Sequence, residues 1–234
     1  MAAILLRGHI DRRAGGRTTA LDKTKTGKEN FRMKDSPILF EACCGSAEDA
    51  IQAFHGGARR VELNNDLFHG GLTPSIGTLL TVKAQAPELR VMSMVRPREG
   101  GFCYTETEFA VMLADAEALI SAGSDGIVFG FLHEDGTIDR ERCKAMLDLI
   151  GGRAEAVCHR AFDLTPDPYA ALETLIELGF DRLLTSGQKP TVPEGAFLIK
   201  KLIEQAAGRM EIMPGAGITP ENVDFCKRVI GAGC

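Results

Sequence analysis

Long apolar segments are absent from this 234-residue sequence. No run reaches 18 consecutive apolar residues, and the stretch AILL at residues 3–6 is too short for a membrane span or for the core of a signal peptide. These absences predict a soluble, cytoplasmic protein without a membrane partner. The hydrophobic content of 44% is high enough for one large core, so we expect a globular chain.

Paired cysteine motifs are missing as well. The seven cysteines are odd in number and irregular in spacing, and no C-x-x-C occurs. This pattern argues against a disulfide framework and against a structural zinc site. We interpret Cys103, Cys143, Cys158 and Cys226 as small buried hydrophobic residues or incidental positions.

Basic charge is scarce outside the N-terminus. Residues 1–34 carry nine Lys and Arg against three Asp and Glu, whereas the rest of the chain carries 18 against 29. The acidic remainder of the sequence does not predict a basic surface that would bind nucleic acid. Residues 1–34 are polar and lack apolar periodicity, so they are predicted to form a disordered basic leader. A mitochondrial transit peptide is the alternative interpretation of this segment.

From residue 35 onward, short β-like runs alternate with amphipathic segments of helical period, the pattern of parallel β/α units. The seven predicted strands are ILFEACC, RRVELN, LRVMSMV, GIVFGF, AEAVCHRAF, RLLTS and MEIMPGAG. Helices are predicted at 46–55, 75–86, 105–122, 138–150, 167–178, 193–207 and 219–230, with Ser46, Thr105 and Thr219 as N-caps. Because no strand hints at a reversal of strand order, we predict an α/β fold of the TIM-like (β/α) barrel type.

The predicted barrel is incomplete. A complete barrel has eight strands, whereas the sequence ends at VIGAGC, where the eighth would begin. The domain at 35–234 is therefore expected to contain seven of eight strands and to lack the last β/α unit. Open edges on the first and seventh strands would promote association unless something covers them. An inactive truncated isoform is one interpretation of such a chain.

The alternation of polar and apolar residues along each strand predicts which side chains face the barrel interior. A carboxylate against the helix layer would be costly, so Glu41 and Cys43 should face inward and Cys44 outward. The same rule turns Cys158 toward the helices and His159 inward. The inward set is completed by Glu62, Asn64, Met94 and Arg96, with Arg160 and Asp163 on the loop after His159.

Charged residues from four predicted strands thus converge at one end of the barrel, where active sites of this fold lie. The candidate catalytic residues are Glu41, Glu62, Arg96, His159, Arg160 and Asp163. Two carboxylates that share a site raise one pKa into the range useful for proton transfer, whereas a nearby Arg keeps a carboxylate ionised. The chain would then be an enzyme that acts on a small anionic substrate by acid/base chemistry, with His159 or a carboxylate moving the proton. The alternative is a satisfied salt-bridge network that closes the barrel.

Two further loops could hold an anion at the same end. Gly215 and Gly217 lie in MPGAGITPEN, whose free backbone N–H groups are expected to face the cavity. Thr185 and Ser186 of LTSGQ offer hydroxyl groups at another strand end. Together with Arg98, these residues are the candidate anion-binding set.

The motifs FEACCGS, VELN with GGLTPS, VRPR followed by GFCY, HRAFD, LTSGQ and MPGAGIT occur in order with a spacing that resembles the CutC family of copper homeostasis proteins. The likeness extends from about Ile38 to Gly233. It implies a TIM-like barrel, a cytosolic location that includes the nucleus in animal members, assembly into dimers or tetramers, and binding of Cu(I).

The resemblance also implies roles for single residues. Cys43 matches the family's candidate Cu(I) ligand, with Met94 or a second chain as the other ligand. Asn64 stands where animal members have a second cysteine. The other positions that match the family pattern are Glu41, Glu62, Arg96, Arg98, His159, Arg160, Asp163, Thr185, Ser186 and Gly217.

Overall fold

Seven parallel strands form most of a barrel wall in this protein, a computed structural model of which describes residues 2–5 and 39–230. The strands are β2 (Leu39–Cys44), β3 (Arg60–Leu63), β4 (Arg90–Met94), β5 (Gly126–Phe129), β6 (Glu155–Cys158), β7 (Arg182–Thr185) and β8 (Glu211–Ile218). Each pairs with the next in chain order. The predicted (β/α) barrel is confirmed.

Helices follow the parallel strands and cover the outside of the barrel. They are α1 (Ala47–His55), α2 (Ile76–Gln85), α3 (Glu106–Ser121), α4 (Arg140–Ile150), α5 (Pro168–Leu178), α6 (Val192–Ala206) and α7 (Val223–Ile230). Ser46 caps α1, and Thr105 caps α3 in a capping box with Glu108. Helix α7 begins at Val223, four residues after the predicted N-cap Thr219, and a turn at residues 220–222 precedes it. In this turn Asn222 Oδ1 accepts a hydrogen bond from Thr219 N–H, and Val223 N–H donates to the Thr219 carbonyl oxygen.

The main core lies between the strands and the helices. Outward-facing strand residues such as Val61, Val91 and Leu183 pack there with helix residues such as Leu79 and Leu172. Cys44 and Cys158 are buried in this same layer, which confirms the predicted alternation. Burial of each such side chain stabilises the fold by about 1.5–3 kcal/mol.

A short N-terminal strand closes the barrel where an open gap was predicted. This strand, β1 (Ala2–Leu5), runs antiparallel to both β2 and β8, with Ala3 opposite Glu41 on one side and Gly215 on the other. The structure therefore differs from the predicted disorder at these four residues, because two strand edges with free N–H and C=O groups offer a place to pair. The rest of the predicted leader lies outside the described residues.

The register of the strands arranges the interior side chains in layers. Glu41 lies beside Arg60 and Cys43 beside Glu62, while Arg182 lies beside Glu211. The layer at the amino ends of the strands is thus charged, and we call it the charged floor; its members are Glu41, Arg60, Glu155, Arg182 and Glu211. The residues one and two layers higher face the carboxyl ends of the strands, where the candidate site lies.

Candidate functional site

A cavity of about 550 Å³ opens at the carboxyl ends of the strands. All six candidate catalytic residues line it, as do Cys43 and Gly215. Apolar side chains complete the wall; they include Leu67, Met94, Phe102, Leu164 and Leu184. The structure thus brings the predicted catalytic cluster together from separate strands and loops.

At the bottom of the cavity, Glu41 belongs to the charged floor. Its carboxylate lies 2.5 Å from Arg60 Nε and 3.8 Å from Arg182 Nη1. Arg182 also pairs with Glu155 and Glu211. Burial raises the pKa of Glu41 although both arginines oppose the rise. The salt-bridge alternative of the sequence analysis therefore describes Glu41 better than a catalytic role.

Arg60 and Arg182 were not predicted as interior residues, although the alternation of side chains along their strands indicates this position. Arg60 stands two residues before Glu62, and Arg182 stands two residues before Leu184, so strand alternation turns both side chains inward. Both are almost completely buried, at 0% and 2% exposure. Their guanidinium groups form ion pairs with the carboxylates of the charged floor.

One layer above, Glu62 combines a satisfied and an unsatisfied carboxylate oxygen. Its Oε1 accepts hydrogen bonds from Asn64 Nδ2 at 3.0 Å and from the Cys43 thiol at 3.5 Å. Its Oε2 is buried and has no hydrogen-bond partner among the described residues. Burial, with a smaller contribution from Glu41, raises the pKa of Glu62 to about 7. Glu62 is therefore suited to give and take a proton near neutral pH.

Arg96 contributes a buried positive charge that no carboxylate neutralises within the described part of the chain. Its guanidinium donates to the carbonyl oxygens of His69, Gly71 and Gly100 at 2.9–3.2 Å. It also lies 5.1 Å from the centroid of the Phe102 ring. Carbonyl groups hold the guanidinium in place but leave its charge available to an anion.

His159 presents a neutral imidazole to the cavity. Its Nδ1 accepts a hydrogen bond from Ala161 N–H at 3.2 Å, so the ring proton is assigned to Nε2. That Nε2 is buried without a hydrogen-bond partner in residues 2–5 and 39–230. Burial and the charge of Arg96 lower the pKa of His159 to about 3. At neutral pH His159 acts as an N–H donor, in contrast to the proton-transfer role considered from sequence.

Phe102 is a cavity residue that the sequence analysis did not single out. Its ring centroid lies 4.7 Å from that of His159 and 5.1 Å from the Arg96 guanidinium. The GFCY motif contained this residue, but an isolated aromatic residue in a loop gives no sign of what it will pack against. Phe102 shields both polar groups from water.

Asp163 anchors the loop after β6 to the end of β7. It accepts hydrogen bonds from Arg160 Nε at 2.9 Å, Ser186 Oγ at 2.8 Å and Thr185 Oγ1. The two hydroxyl groups are thereby engaged, and neither Thr185 nor Ser186 lines the cavity. Because the carboxylate occupies these donors, the structure does not support their predicted role as anion ligands.

Two other members of the predicted anion-binding set lie outside the cavity wall. Arg98 pairs with Glu108 at 2.5 Å and stacks on Tyr104. Gly217 is packed against Thr191, and a Cβ there would come within 2.9 Å of it. Gly215 does line the cavity, but β8 runs through both glycines, and β1 pairs with this stretch. The expected glycine loop is therefore part of a strand that pairs with β1 at Gly215 and Ile218, with an irregularity at Ala216 and Gly217 between the two pairs.

Cys43 is the candidate metal ligand, and the polar atoms nearest to its thiol are hard oxygen and nitrogen atoms. Besides Glu62, the thiol lies 3.5 Å from Asn64 Nδ2. Burial and the Glu62 carboxylate raise the pKa of the thiol well above its ordinary value. Among the described residues, no group of three or more His, Cys, Asp or Glu is arranged to hold a metal ion. The soft donors at the cavity wall are the Cys43 thiol and the Met94 thioether.

The fold and cavity together define a (β/α) barrel with a charged site at the carboxyl ends of its strands. The CutC family profile matches residues 38–232. A family protein CutC of Treponema denticola is 53% identical over 194 residues, which is 83% of this chain and 78% of the relative. A human copper homeostasis protein cutC homolog is 50% identical over 186 residues, which is 80% and 67% of the two chains. This chain belongs to the CutC family.

Solved structures agree with this assignment. CutC from Streptococcus agalactiae superposes with a TM-score of 0.78 at 33% identity, covering 82% of this chain and 94% of that one. Deoxyribose phosphate aldolase from Aeropyrum pernix gives a TM-score of 0.59 at 15% identity, covering 82% and 80%, and this likeness shows the fold alone. Within the described residues, no helix has both the length and the apolar character needed to cross a membrane.

Proposed function

We propose that this chain acts in copper homeostasis and that Cu(I) binds in the barrel cavity at Cys43. The names of the curated relatives support the role, and one observation supports the place: Cys43 is the cavity-lining cysteine of the described chain. Met94 also lines the cavity and would supply a thioether as a second soft donor. Copper here is cargo, carried by the cysteine rather than used in catalysis.

The neighbouring cysteine provides a matched control for this proposal. Cys44 lies next in the same strand but faces the helix layer. Anaerobic Cu(I) titration against a competing chelator should give at least about tenfold weaker binding for Cys43→Ala than for the wild type, because a thiolate ligand is lost. Cys44→Ala should bind as the wild type does. Equal affinities in all three proteins would contradict a copper site at Cys43.

A second candidate function is acid/base catalysis on a small anionic substrate. The observation that favours it is the set of three buried polar atoms at the cavity residues, Glu62 Oε2, Arg96 Nε and His159 Nε2, none of which has a hydrogen-bond partner within the described residues. Unpartnered buried polar atoms cost free energy, and a substrate would satisfy them. Glu62 would move the proton, while Arg96 and His159 would hold negative charge.

Deuterium incorporation tests the second candidate without a known substrate. Incubation in D₂O with a panel of small carbonyl-containing carboxylic acids, followed by ¹H NMR, should reveal exchange of the hydrogens next to the carbonyl. Glu62→Gln should abolish the exchange, because the amide cannot accept the proton. Glu48→Gln on the exposed face of α1 is the control and should leave the rate unchanged. A panel without enzyme-dependent exchange would count against this function.

We also propose that the protein works in the cytoplasm, and in the nucleus of an animal cell, as a homodimer or homotetramer. The family resemblance supports this assembly, and so do exposed aromatic side chains such as Phe68 and Phe197, which are 92% and 73% exposed. Light scattering coupled to size-exclusion chromatography measures the state directly. A monomer at micromolar concentration would contradict the oligomer.

A further inference from the structure

Arg96 retains hydrogen-bonding capacity after its protein contacts are counted. A guanidinium has five N–H groups. The three carbonyl oxygens of His69, Gly71 and Gly100 account for three of them. Nε is buried without a partner among the described residues, although the Tyr104 hydroxyl lies close enough to interact with the charge. Two donors thus remain, the number that a bidentate carboxylate accepts.

His159 supplies a second donor whose direction is fixed. The hydrogen bond from Ala161 N–H to Nδ1 sets the tautomer, and Gly130 makes room for the ring. A Cβ at Gly130 would lie 2.8 Å from two ring atoms of His159, so only glycine accommodates the present position. His159 is 3% exposed and Arg96 7% exposed, and both line the cavity.

Phe102 joins these two groups into one site. The Arg96 guanidinium lies 5.1 Å and the His159 ring 4.7 Å from the centroid of the same aromatic ring. The ring is an apolar, flat surface, and exclusion of water strengthens hydrogen bonds to a charged ligand. A flat ligand fits against it better than a tetrahedral one.

We propose that Arg96, His159 and Phe102 form a binding site for a small planar carboxylate with a carbonyl oxygen next to the carboxylate, such as a 2-oxo acid. Arg96 holds the carboxylate, His159 Nε2–H donates to the neighbouring carbonyl oxygen, and Phe102 covers the plane. This inference rests on the second candidate function and names its substrate class. The cavity of about 550 Å³ has room for such a molecule.

The number of donors favours a carboxylate over a phosphate. A phosphate dianion is usually held by several backbone N–H groups together with cationic side chains. Here two glycines line the cavity: Gly215 lies in a strand that pairs with β1, and the N–H of Gly70 donates to the Leu67 carbonyl oxygen. Thr185 and Ser186 donate to Asp163 instead of facing the cavity. Arg160 also lines the cavity, but its Nε and Nη2 are bound to Asp163, Ser186 and the Lys189 carbonyl. The buried donors that remain are those of Arg96 and His159, and they match two planar oxygens at Arg96 and one at His159.

Calorimetric titration with oxalate, pyruvate and inorganic phosphate tests the site. Oxalate and pyruvate should bind, and phosphate should bind more weakly. Arg96→Lys and His159→Leu should each weaken oxalate binding by about ten- to hundredfold, since each removes hydrogen bonds to a charged group. His159→Gln keeps an N–H donor and should restore part of the affinity. Arg98→Lys and His133→Leu alter residues outside the cavity wall and should bind oxalate as the wild type does.

A variant that displaces the imidazole ring distinguishes loss of the site from loss of the fold. Gly130→Ala leaves Arg96 and His159 in the chain but pushes the imidazole away, so it should weaken oxalate binding while thermal melting shows a folded protein. In the ¹⁵N NMR spectrum of the wild type, oxalate should shift the His159 Nε2 resonance.

Two outcomes would overturn the inference. If phosphate binds more tightly than oxalate and its binding depends on Arg96, the ligand is not a carboxylate. If the Arg96 and His159 variants bind oxalate as tightly as the wild type, the site lies elsewhere. These results are independent of the Cu(I) titration and of the Glu62→Gln exchange experiment. Failure of the carboxylate site is therefore distinguishable from failure of either proposed function.

Discussion

At the scale of single residues, His159 shows how burial changes the chemistry of a side chain. In water its pKa would allow partial protonation near neutral pH. Inside the barrel, burial and the charge of Arg96 lower that pKa to about 3, although the charge of Asp163 opposes the shift. The ring is held as a neutral N–H donor, as the proposed carboxylate site needs at His159 Nε2.

The lowered pKa of His159 predicts a dependence of stability on pH. The unfolded chain binds a proton at this histidine below pH 6.5 and the folded chain only near pH 3, so the stabilisation present above pH 6.5 is lost as the pH falls. Between pH 7 and pH 5 the wild type should lose about 2 kcal/mol that His159→Asn does not lose. Urea denaturation at both pH values measures the difference.

The exposed His133→Asn variant is the control for this prediction and should keep the acid sensitivity of the wild type. Glu62, with its pKa raised to about 7, contributes the opposite slope: stability present below pH 4.5 is lost as the pH rises through 7. That contribution is common to wild type and variant and cancels in the difference between them. Equal acid sensitivity of wild type and His159→Asn would show that the buried ring is not the cause.

At the scale of secondary-structure elements, β1 decides whether the barrel has free edges. A sheet of the seven parallel strands alone would leave β2 and β8 unpaired on one side. Free edges recruit strands from other chains. The antiparallel pairing of β1 with both edges satisfies those backbone groups within one chain.

Substitution of a single residue in β1 should reopen the barrel. Ile4→Pro removes a backbone N–H in the middle of the strand and should weaken its pairing with Phe40 of β2. We expect a lower melting temperature and a larger share of oligomers in light scattering. Ile4→Val preserves strand propensity and serves as the control. A Pro variant that matches the Val variant in both measurements would show that β1 does not close the barrel in solution.

At the scale of the whole molecule, the charged floor ties together strands that are far apart in the sequence. Arg182 of β7 contacts carboxylates of β2, β6 and β8. A buried arginine with three carboxylates around it is essential once those carboxylates are present, because its removal leaves buried negative charge without a partner.

Removal of this arginine should destabilise the whole fold. Arg182→Met should lower the free energy of unfolding by about 3–5 kcal/mol, the usual cost of breaking a buried ion pair from one side. Arg209→Met removes a surface arginine that pairs with Glu173 at 2.7 Å and should change stability little. Guanidinium chloride denaturation compares the two. Similar midpoints for both variants would mean that the floor carboxylates become protonated at little cost.

Much of the fold was accessible from sequence because strand and helix periods are local properties. Alternation alone turned Glu62 and His159 inward and Cys158 outward, and the structure agrees. The same alternation applied to Arg60 and Arg182 would have revealed the charged floor. By contrast, no local pattern shows that Asp163 accepts the hydroxyls of Thr185 and Ser186, since these residues meet only when the loop after β6 folds against β7.

The sequence by itself determined the (β/α) order, the layer each strand residue occupies and the family, since these depend on side-chain type and on motif spacing. Only the tertiary structure decided which polar atoms stay without partners. The loop after β6 set the His159 tautomer, hydrogen bonds from β7 and the residue after it occupied Asp163, and Arg96 kept an Nε without a partner among the described residues. It also decided that residues 2–5 close the barrel, because a strand pairs with an edge that exists only after the other seven have assembled.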